Sequence, residues 1–339
     1  MQESRKPRTS LSRREVAEVC ARLLKTRVLD VTRAAGEQRR SVRVQLPDRS
    51  VIATRRKSAD RGKLEAMVLS ELRRYGAPVP AILAFGEGWL IQEDLGAGRL
   101  SGALAQADRQ GAVDLLDAAL AALAAIHEAA RRAKLVPHVP ALGQSAAWRK
   151  GLAAMPQRIA ARLDEPLPVL DAQAIDRMLA MPATEFVKWD ARPGNAIVRA
   201  EGGAIGWIDW EHCGARAGTD DLAWVLGDEY VHLAETDERA LIDKYLPAFA
   251  GARDAQTARA AFHFFGTFHT CVRLALVLHH KGTGAWWSLE RCLADDKVGV
   301  QRESAIVLAA RGARWAAASG PAAALEPWFA RLGKRLSDL

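Results

Sequence analysis

At 339 residues, 49% hydrophobic and 26% charged, the chain has the composition of a globular protein with room for one large domain or two lobes, which excludes a disordered or fibrous one. No uninterrupted apolar run reaches the ~18 residues of a membrane span, and MQESRKPRTS has no apolar stretch behind its basic residues, so neither a membrane partner nor a secretory signal is expected and the expected location is cytoplasmic. A net charge of +8 favours anionic ligands, nucleotides or nucleic acid, without choosing between them.

The first forty residues carry eleven Lys or Arg against five Asp or Glu. Within residues 1–26, Ser12-Arg13-Arg14-Glu15 has the form of a capping box, and Val16, Val19, Cys20, Leu23 and Leu24 share a face. A short amphipathic helix with a basic outer side is expected, solvated rather than bound to nucleic acid because no aromatic residue is interleaved. From Arg27 to Gly96 the segments RVLDVT, SVRVQL, SVIATRR, AILAFG and WLIQEDL read as strands between turn signals at Ala35-Gly36, Pro47-Asp48, Pro78-Val79-Pro80 and Gly86-Glu87-Gly88. One helix, KLEAMVLSELRRYG, follows the third strand with Leu64, Met67, Val68 and Leu72 on one side and Gly76 at its end. Residues 27–97 therefore form a small antiparallel lobe in this reading.

Residues 98–339 read as a larger, mostly helical lobe, built from AVDLLDAALAALAAIHEAARRA, HFFGTFHTCVRLALVLHH and SAIVLAARGARWAAA. Only residues 186–209 interrupt the helices with strand-like segments. The fold class expected is α+β. Cys20, Cys213, Cys271 and Cys292 lie far apart, which suits reduced, buried thiols rather than a zinc cluster or a disulfide framework. His212 and Cys213 have no second pair at ligand spacing, so no metal site is assigned to them.

The stretch VKWDARPGNAIV places Asp190 five residues before Asn195. Alone, this is a common turn spacing. After it come AIVRA, the turn Glu201-Gly202-Gly203 and AIGWID, which read as a hairpin that returns Asp209 beside Asn195. Two hard oxygen ligands and one further carboxylate at one end of a hairpin are what Mg-dependent phosphoryl transfer needs: ligands that leave room for water and phosphate oxygens, and a base for an attacking hydroxyl.

With Ile126-His127-Glu128-Ala129 before it, and Ile208-Asp209-Trp210-Glu211 and Asp221-Leu222-Ala223 after it, the Lys188-Trp189-Asp190 to Asn195 stretch resembles the ordered motifs of the aminoglycoside phosphotransferase and choline kinase family over roughly residues 27–290. The resemblance implies a bilobal protein-kinase-like fold, ATP and Mg2+ as cofactors, and a small-molecule hydroxyl acceptor. It also implies Asp190 as base, with Asn195 and Asp209 as Mg2+ ligands.

The small lobe departs from that pattern. Thr54 stands where such folds carry a β3 lysine. Arg56, on the same face, is the candidate to reach the nucleotide phosphates, with Glu65 in the place of the helix glutamate and a surface charge as the competing reading. RAAGEQRRS holds only Gly36, so Arg39 and Arg40 are candidates to substitute charge for backbone amides. Gln92 and Glu93, with Asp94-Leu95, resemble the segment that joins the lobes and meets the adenine edge, a polar connector being the alternative.

In the catalytic loop, Lys188-Trp189 replaces the family's His-Gly, as a packing variant, as a changed substrate pocket or as a direct Lys188 contact with phosphate. Asp220 or Asp221 is expected to cap the following helix. Nine acidic against five basic residues from Ala215 to Ala260 offer either a surface for a cationic acceptor or ordinary exposed helices. Trp286-Trp287 and Phe262, Phe264, Phe265 and Phe268 are expected in the core. A nucleotide-binding pseudokinase with a regulatory or scaffold role is the alternative function, and a nucleic-acid module rests on charge alone.

Overall fold

The computed structural model describes residues 12–33, 41–56, 58–200, 202–295 and 298–339; Ala35, Gly36, Arg39 and Arg40 of the expected phosphate loop and Glu201 of the expected hairpin turn lie outside them. The chain divides into two units, Met1–Ser70 with Pro80–Leu95 and Glu71–Val79 with Gly96–Leu339.

The first unit opens with α1 (Arg13–Leu24), followed by β1 (Asp30–Arg33), β2 (Ser41–Gln45), β3 (Ser50–Arg55), most of α2 (Ala59–Arg74), β4 (Ile82–Gly86) and β5 (Trp89–Glu93). All sheet pairings are antiparallel, in the order β1-β2-β3-β5-β4. Val16, Val19 and Cys20 of α1 join Val31, Val44, Val51, Ala53, Trp89 and Ile91 in one apolar cluster, so the apolar face of the helix is fixed by burial against the sheet. The expected capping box is not formed. Ser12 is extended but makes no side-chain cap, and Glu15, its partner in the motif, accepts a hydrogen bond from Arg55 at 2.9 Å instead. α2 begins four residues before the expected helix, at Ala59.

The second unit contains α3 (Leu100–Leu104), α4 (Arg109–Arg132), α5 (Ala146–Ala153), α6 (Met155–Leu163) and α7 (Ala172–Leu179), then β6 (Glu185–Val187), β7 (Ala196–Val198), β8 (Ile205–Trp207) and β9 (Gly214–Arg216). It ends with α8 (Thr219–Leu226), α9 (Glu235–Ala250), α10 (Ala255–Lys281), α11 (Leu289–Asp295), α12 (Arg302–Ala317) and α13 (Leu325–Ser337). β7 and β8 pair as a hairpin with Ala196 opposite Trp207. β9 lies outside the expected strand region: it pairs with β6, Phe186 opposite Ala215, and its Gly-Ala-Arg sequence carries no alternation to reveal it.

α10 is the central helix of this unit, with Phe262, Phe264, Phe265 and Phe268 all buried. By length and composition it could cross a membrane, and 78% of its apolar window is buried inside the protein. Gly266 admits the ring of Trp315 from α12, since a Cβ there would sit 2.5 Å from it. Trp286 and Trp287, expected in the core, are instead partly exposed: Lys281 lies over the first at 5.1 Å and Arg291 over the second at 3.9 Å. All four cysteines are buried and unpaired.

α10 also makes stability pH-dependent. Burial, helped by Arg259, pushes His263 down to about 4, and burial beside Arg273 pushes His269 down as well. The unfolded chain binds these protons near pH 6.5 and the folded chain does not, so stability falls as the pH drops from 6.5 to about 4. Urea denaturation across that window is expected to show the loss, and His263→Gln to reduce it; a loss of unchanged size in the variant would count against this assignment.

Candidate active site

β6 carries the chain into Lys188, and the loop that follows closes through a tight turn at Pro193–Asn195 before β7. Trp189 and Asp190 are both left-handed, at φ 54° and 49°, and Asp209 after β8 is left-handed at φ 59°. Each such conformation costs about 1 kcal/mol or more for a residue with a Cβ. Bonds from four directions hold them.

Asp221 of α8 supplies the first. Its Oδ2 accepts from the backbone N–H of Lys188 at 2.6 Å, and its Oδ1 from that of Trp189 at 2.9 Å. His127 of α4 places Nε2 2.9 Å from the same carboxylate, and both side chains are fully buried. The carboxylate can only accept, so His127 donates through Nε2. The expectation that Asp220 or Asp221 caps α8 is therefore corrected: Gly218 stands at the cap, without a side-chain bond, and Asp220 is paired with Arg216 at 2.5 Å.

Lys188 supplies the second. Its Nζ donates to the carbonyls of Asp190 at 3.4 Å and Asp209 at 3.2 Å, and it lies 5.7 and 5.4 Å from the rings of Trp207 and Trp210. The side chain is fully buried, which pushes its pKa down against the pull of Asp190, Asp209 and Asp221. This corrects the reading of Lys188 as a phosphate contact. With no exposed surface, it ties the two carbonyls together from the interior.

The hairpin supplies the third: Ile208 N–H donates to the Asn195 carbonyl at 2.9 Å, and Asn195 Nδ2 donates to Asp190 Oδ2 at 2.8 Å and to its carbonyl at 2.9 Å. Asp190, Asn195 and Asp209 are thus brought together. A buried ion cluster supplies the fourth. Arg192 donates to Asp228 at 2.8 Å and Glu229 at 3.3 Å, while Arg273 binds Glu229 through two nitrogens at 2.8 and 2.7 Å. Burial alone would raise the Glu229 carboxyl, but Arg273 and Arg192 hold it at about 2. Arg99 adds a bond to the Gly194 carbonyl. Nothing in the sequence marked Asp228 and Glu229 except their place inside an apolar stretch, LAWVLGDEYVHLA.

The donor set suits Mg2+. The Asn195 amide nitrogen is engaged by Asp190, which leaves its oxygen for a metal, and the Asp209 carboxylate adds a second hard donor, leaving positions for water and phosphate oxygens. Among the described residues, no group of three or more His, Cys, Asp or Glu is placed to hold a metal ion.

In the first unit, Arg56 follows β3 and meets Glu65 of α2 in a two-pronged pair, Nε to Oε2 and Nη2 to Oε1, both at 2.6 Å. Thr54 is buried and shares a hydrogen bond with Ser41 at 2.8 Å; Arg55 is exposed. Gln92 and Glu93 end β5, as the expected strand WLIQEDL has it: they pair with Ile52 and Val51 of β3, and Glu93 N–H donates to the Ala81 carbonyl at 2.9 Å. Asp94 beyond them receives Arg43 at 2.5 Å and Ser50 at 2.8 Å.

Every acidic residue of the 215–260 segment is engaged. Besides Asp220, Asp221, Asp228 and Glu229, Glu235 pairs with Arg239, Asp237 with Arg109, Asp243 with Arg259, and Glu238 with both Arg311 and Arg314. Asp254 caps α10 through Thr257.

An antiparallel sheet unit and a helical unit that carries such a loop and hairpin have the fold of kinase-like phosphotransferases. The phosphotransferase enzyme family, APH, matches residues 30–263, and the chain belongs to it. Among solved structures, a putative aminoglycoside phosphotransferase from Ralstonia eutropha JMP134 is similar at 13% identity and TM-score 0.54, covering 88% of this chain and 97% of that one. A spectinomycin phosphotransferase in complex with ADP and spectinomycin is similar at 12% identity and TM-score 0.52, covering 84% and 93%. An amicoumacin kinase in complex with AMP-PNP, Ca2+ and Ami is similar at 13% identity and TM-score 0.50, covering 87% and 92%. No curated protein matches the chain.

Removing the Asp221 carboxylate strands the N–H groups of Lys188 and Trp189 and the His127 donor in the interior. Asp221→Ala is expected to lose roughly 2–5 kcal/mol in chemical denaturation. An unchanged midpoint would show that the loop is held elsewhere.

Proposed function

We propose that the protein transfers the γ-phosphoryl group of ATP, with Mg2+, to a hydroxyl of a small molecule. The observation that carries this reading is the arrangement of Asp190, Asn195 and Asp209, tied to one another through Asn195 Nδ2 and Lys188 Nζ. ATP and a divalent ion are supported by the ADP in the spectinomycin phosphotransferase and the AMP-PNP and Ca2+ in the amicoumacin kinase.

In this mechanism Asp190 receives the proton of the attacking hydroxyl, and the hydrogen bond from Asn195 to its Oδ2 orients the carboxylate. Asn195 and Asp209 would hold Mg2+, which supplies positive charge against the phosphate oxygens. Lys188 acts as a positioning residue: by bonding both carbonyls it keeps the base and the metal ligand at a fixed separation. Arg56, oriented by Glu65, is the cation assigned to the nucleotide phosphates in place of the missing lysine. That pair also favours a kinase over the regulatory reading, whose motive was Thr54. Gln92 and Glu93 have no role assigned beyond the strand.

The purified protein is expected to form ADP in the presence of an acceptor and Mg2+, and Asp190→Asn to lower turnover at least 100-fold while ATP still stabilises the protein in thermal denaturation. Turnover that survives the substitution would remove Asp190 as base. Stabilisation by ATP that ignores Mg2+ would favour the regulatory role.

A further inference from the structure

The residue before the proposed base opens a question the transfer chemistry does not answer, namely what an acceptor meets on its way to Asp190. Trp189 is partly exposed, and its ring lies 6.2 Å from Trp148 of α5, 5.6 Å from Trp224 of α8 and 5.8 Å from Phe265 of α10. Trp148 and Trp224 are partly exposed as well, whereas Phe265 is buried. Four rings from four separate elements therefore meet beside the loop, three of them still open to solvent.

Such a cluster invites a cationic ligand, because aromatic faces attract cations. Here those faces already hold one. The buried guanidinium of Arg216 lies 4.5 Å from the Trp148 ring, 5.8 Å from Trp189 and 5.7 Å from Phe265. It is fixed by Asp220 at 2.5 Å and by the carbonyls of Leu142 and Leu179, both at 3.2 Å. Gly143 makes the space: a Cβ there would strike Arg216 and come 2.9 Å from the Trp148 ring.

The second half of a cation site, free carboxylates, is missing from the segment expected to supply it. All nine acidic residues between Ala215 and Ala260 are paired with arginine, hold loop N–H groups or cap a helix. A polyamine or quaternary ammonium would find the cation position on these rings already taken by Arg216, itself compensated by Asp220, and no uncompensated acid in this segment. An uncharged ring meets indole surfaces that gain by burial and stacking.

We infer that the acceptor is an uncharged hydroxyl compound with an aromatic or other apolar ring, seated on Trp148, Trp189 and Trp224, and not an amine-rich cation. This rests on Asp190 being the base, which fixes where the acceptor hydroxyl must come. Trp148 and Trp224 then set acceptor specificity, and Arg216 already fills the cation position on these rings.

Calorimetric titration in the presence of AMP-PNP and Mg2+ tests it with four probes: phenyl β-D-glucoside and 1-phenyl-1,2-ethanediol against kanamycin and choline. At least one aryl probe is expected to bind tenfold or more tightly than either cation. Trp148→Ala is expected to weaken that binding at least fivefold, and Trp148→Phe to restore it; Trp224→Ala serves where Trp148→Ala does not fold. Tighter binding of kanamycin or choline, no binding of either aryl probe, or full binding by Trp148→Ala would each overturn the inference. Asp190→Asn separates the two claims: it keeps the aryl binding if the pocket is correct, and lowers ADP formation at least 100-fold if the base is.

Discussion

The buried carboxylate of Asp221 is the constraint on which the loop depends. Two consecutive residues with side chains, Trp189 and Asp190, stand in left-handed conformations that an isolated chain would rarely adopt. Neither relaxes, because the N–H of Trp189 and that of Lys188 before it are both held by one group, and that group is held in turn by His127. α4, α8 and the loop therefore share a single anchor. A buried acid accepting three hydrogen bonds loses water but regains it in donors, and this makes the arrangement stable only when all three are present.

Much of this was legible in the chain. The five strands and the helix of the first unit followed from alternation and turn residues, and the hairpin of β7 and β8 from Ala-Ile-Val and Ile-Gly-Trp on either side of paired glycines. The juxtaposition of Asn195 with Asp209 came with that hairpin. What stayed hidden depends on partners remote in sequence. Asp221 has the local signature of a helix cap, and only the arrival of a loop 33 residues upstream makes it something else. Glu15 likewise has the signature of a capping box and is drawn off by Arg55, 40 residues away. β9 has no periodicity at all, being three residues long and selected by its partner strand.

The charge balance illustrates the same limit. An acidic stretch within a basic chain suggests a surface for cations, but a residue count carries no information about pairing. Asp228 and Glu229 lie fully buried under Arg192 and Arg273, so their charge is turned inward to brace the loop. Removing either arginine would leave a charge without compensation in a low-dielectric interior, so the cluster resists piecemeal change.

Replacement of His-Gly by Lys188-Trp189 is better understood as two changes on opposite sides of the backbone than as one substitution. Leaving β6, Lys188 turns inward between two tryptophans and bonds carbonyls, whereas Trp189 turns outward to meet the rings of Trp148 and Trp224. The inward change preserves the loop by a different donor. The outward change adds an indole where the family pattern has a glycine, and Arg216, paired with Asp220, lies against it. Adjacent residues thus face different constraints: Lys188 is held entirely by the interior, whereas Trp189 keeps part of its surface open beside the proposed base.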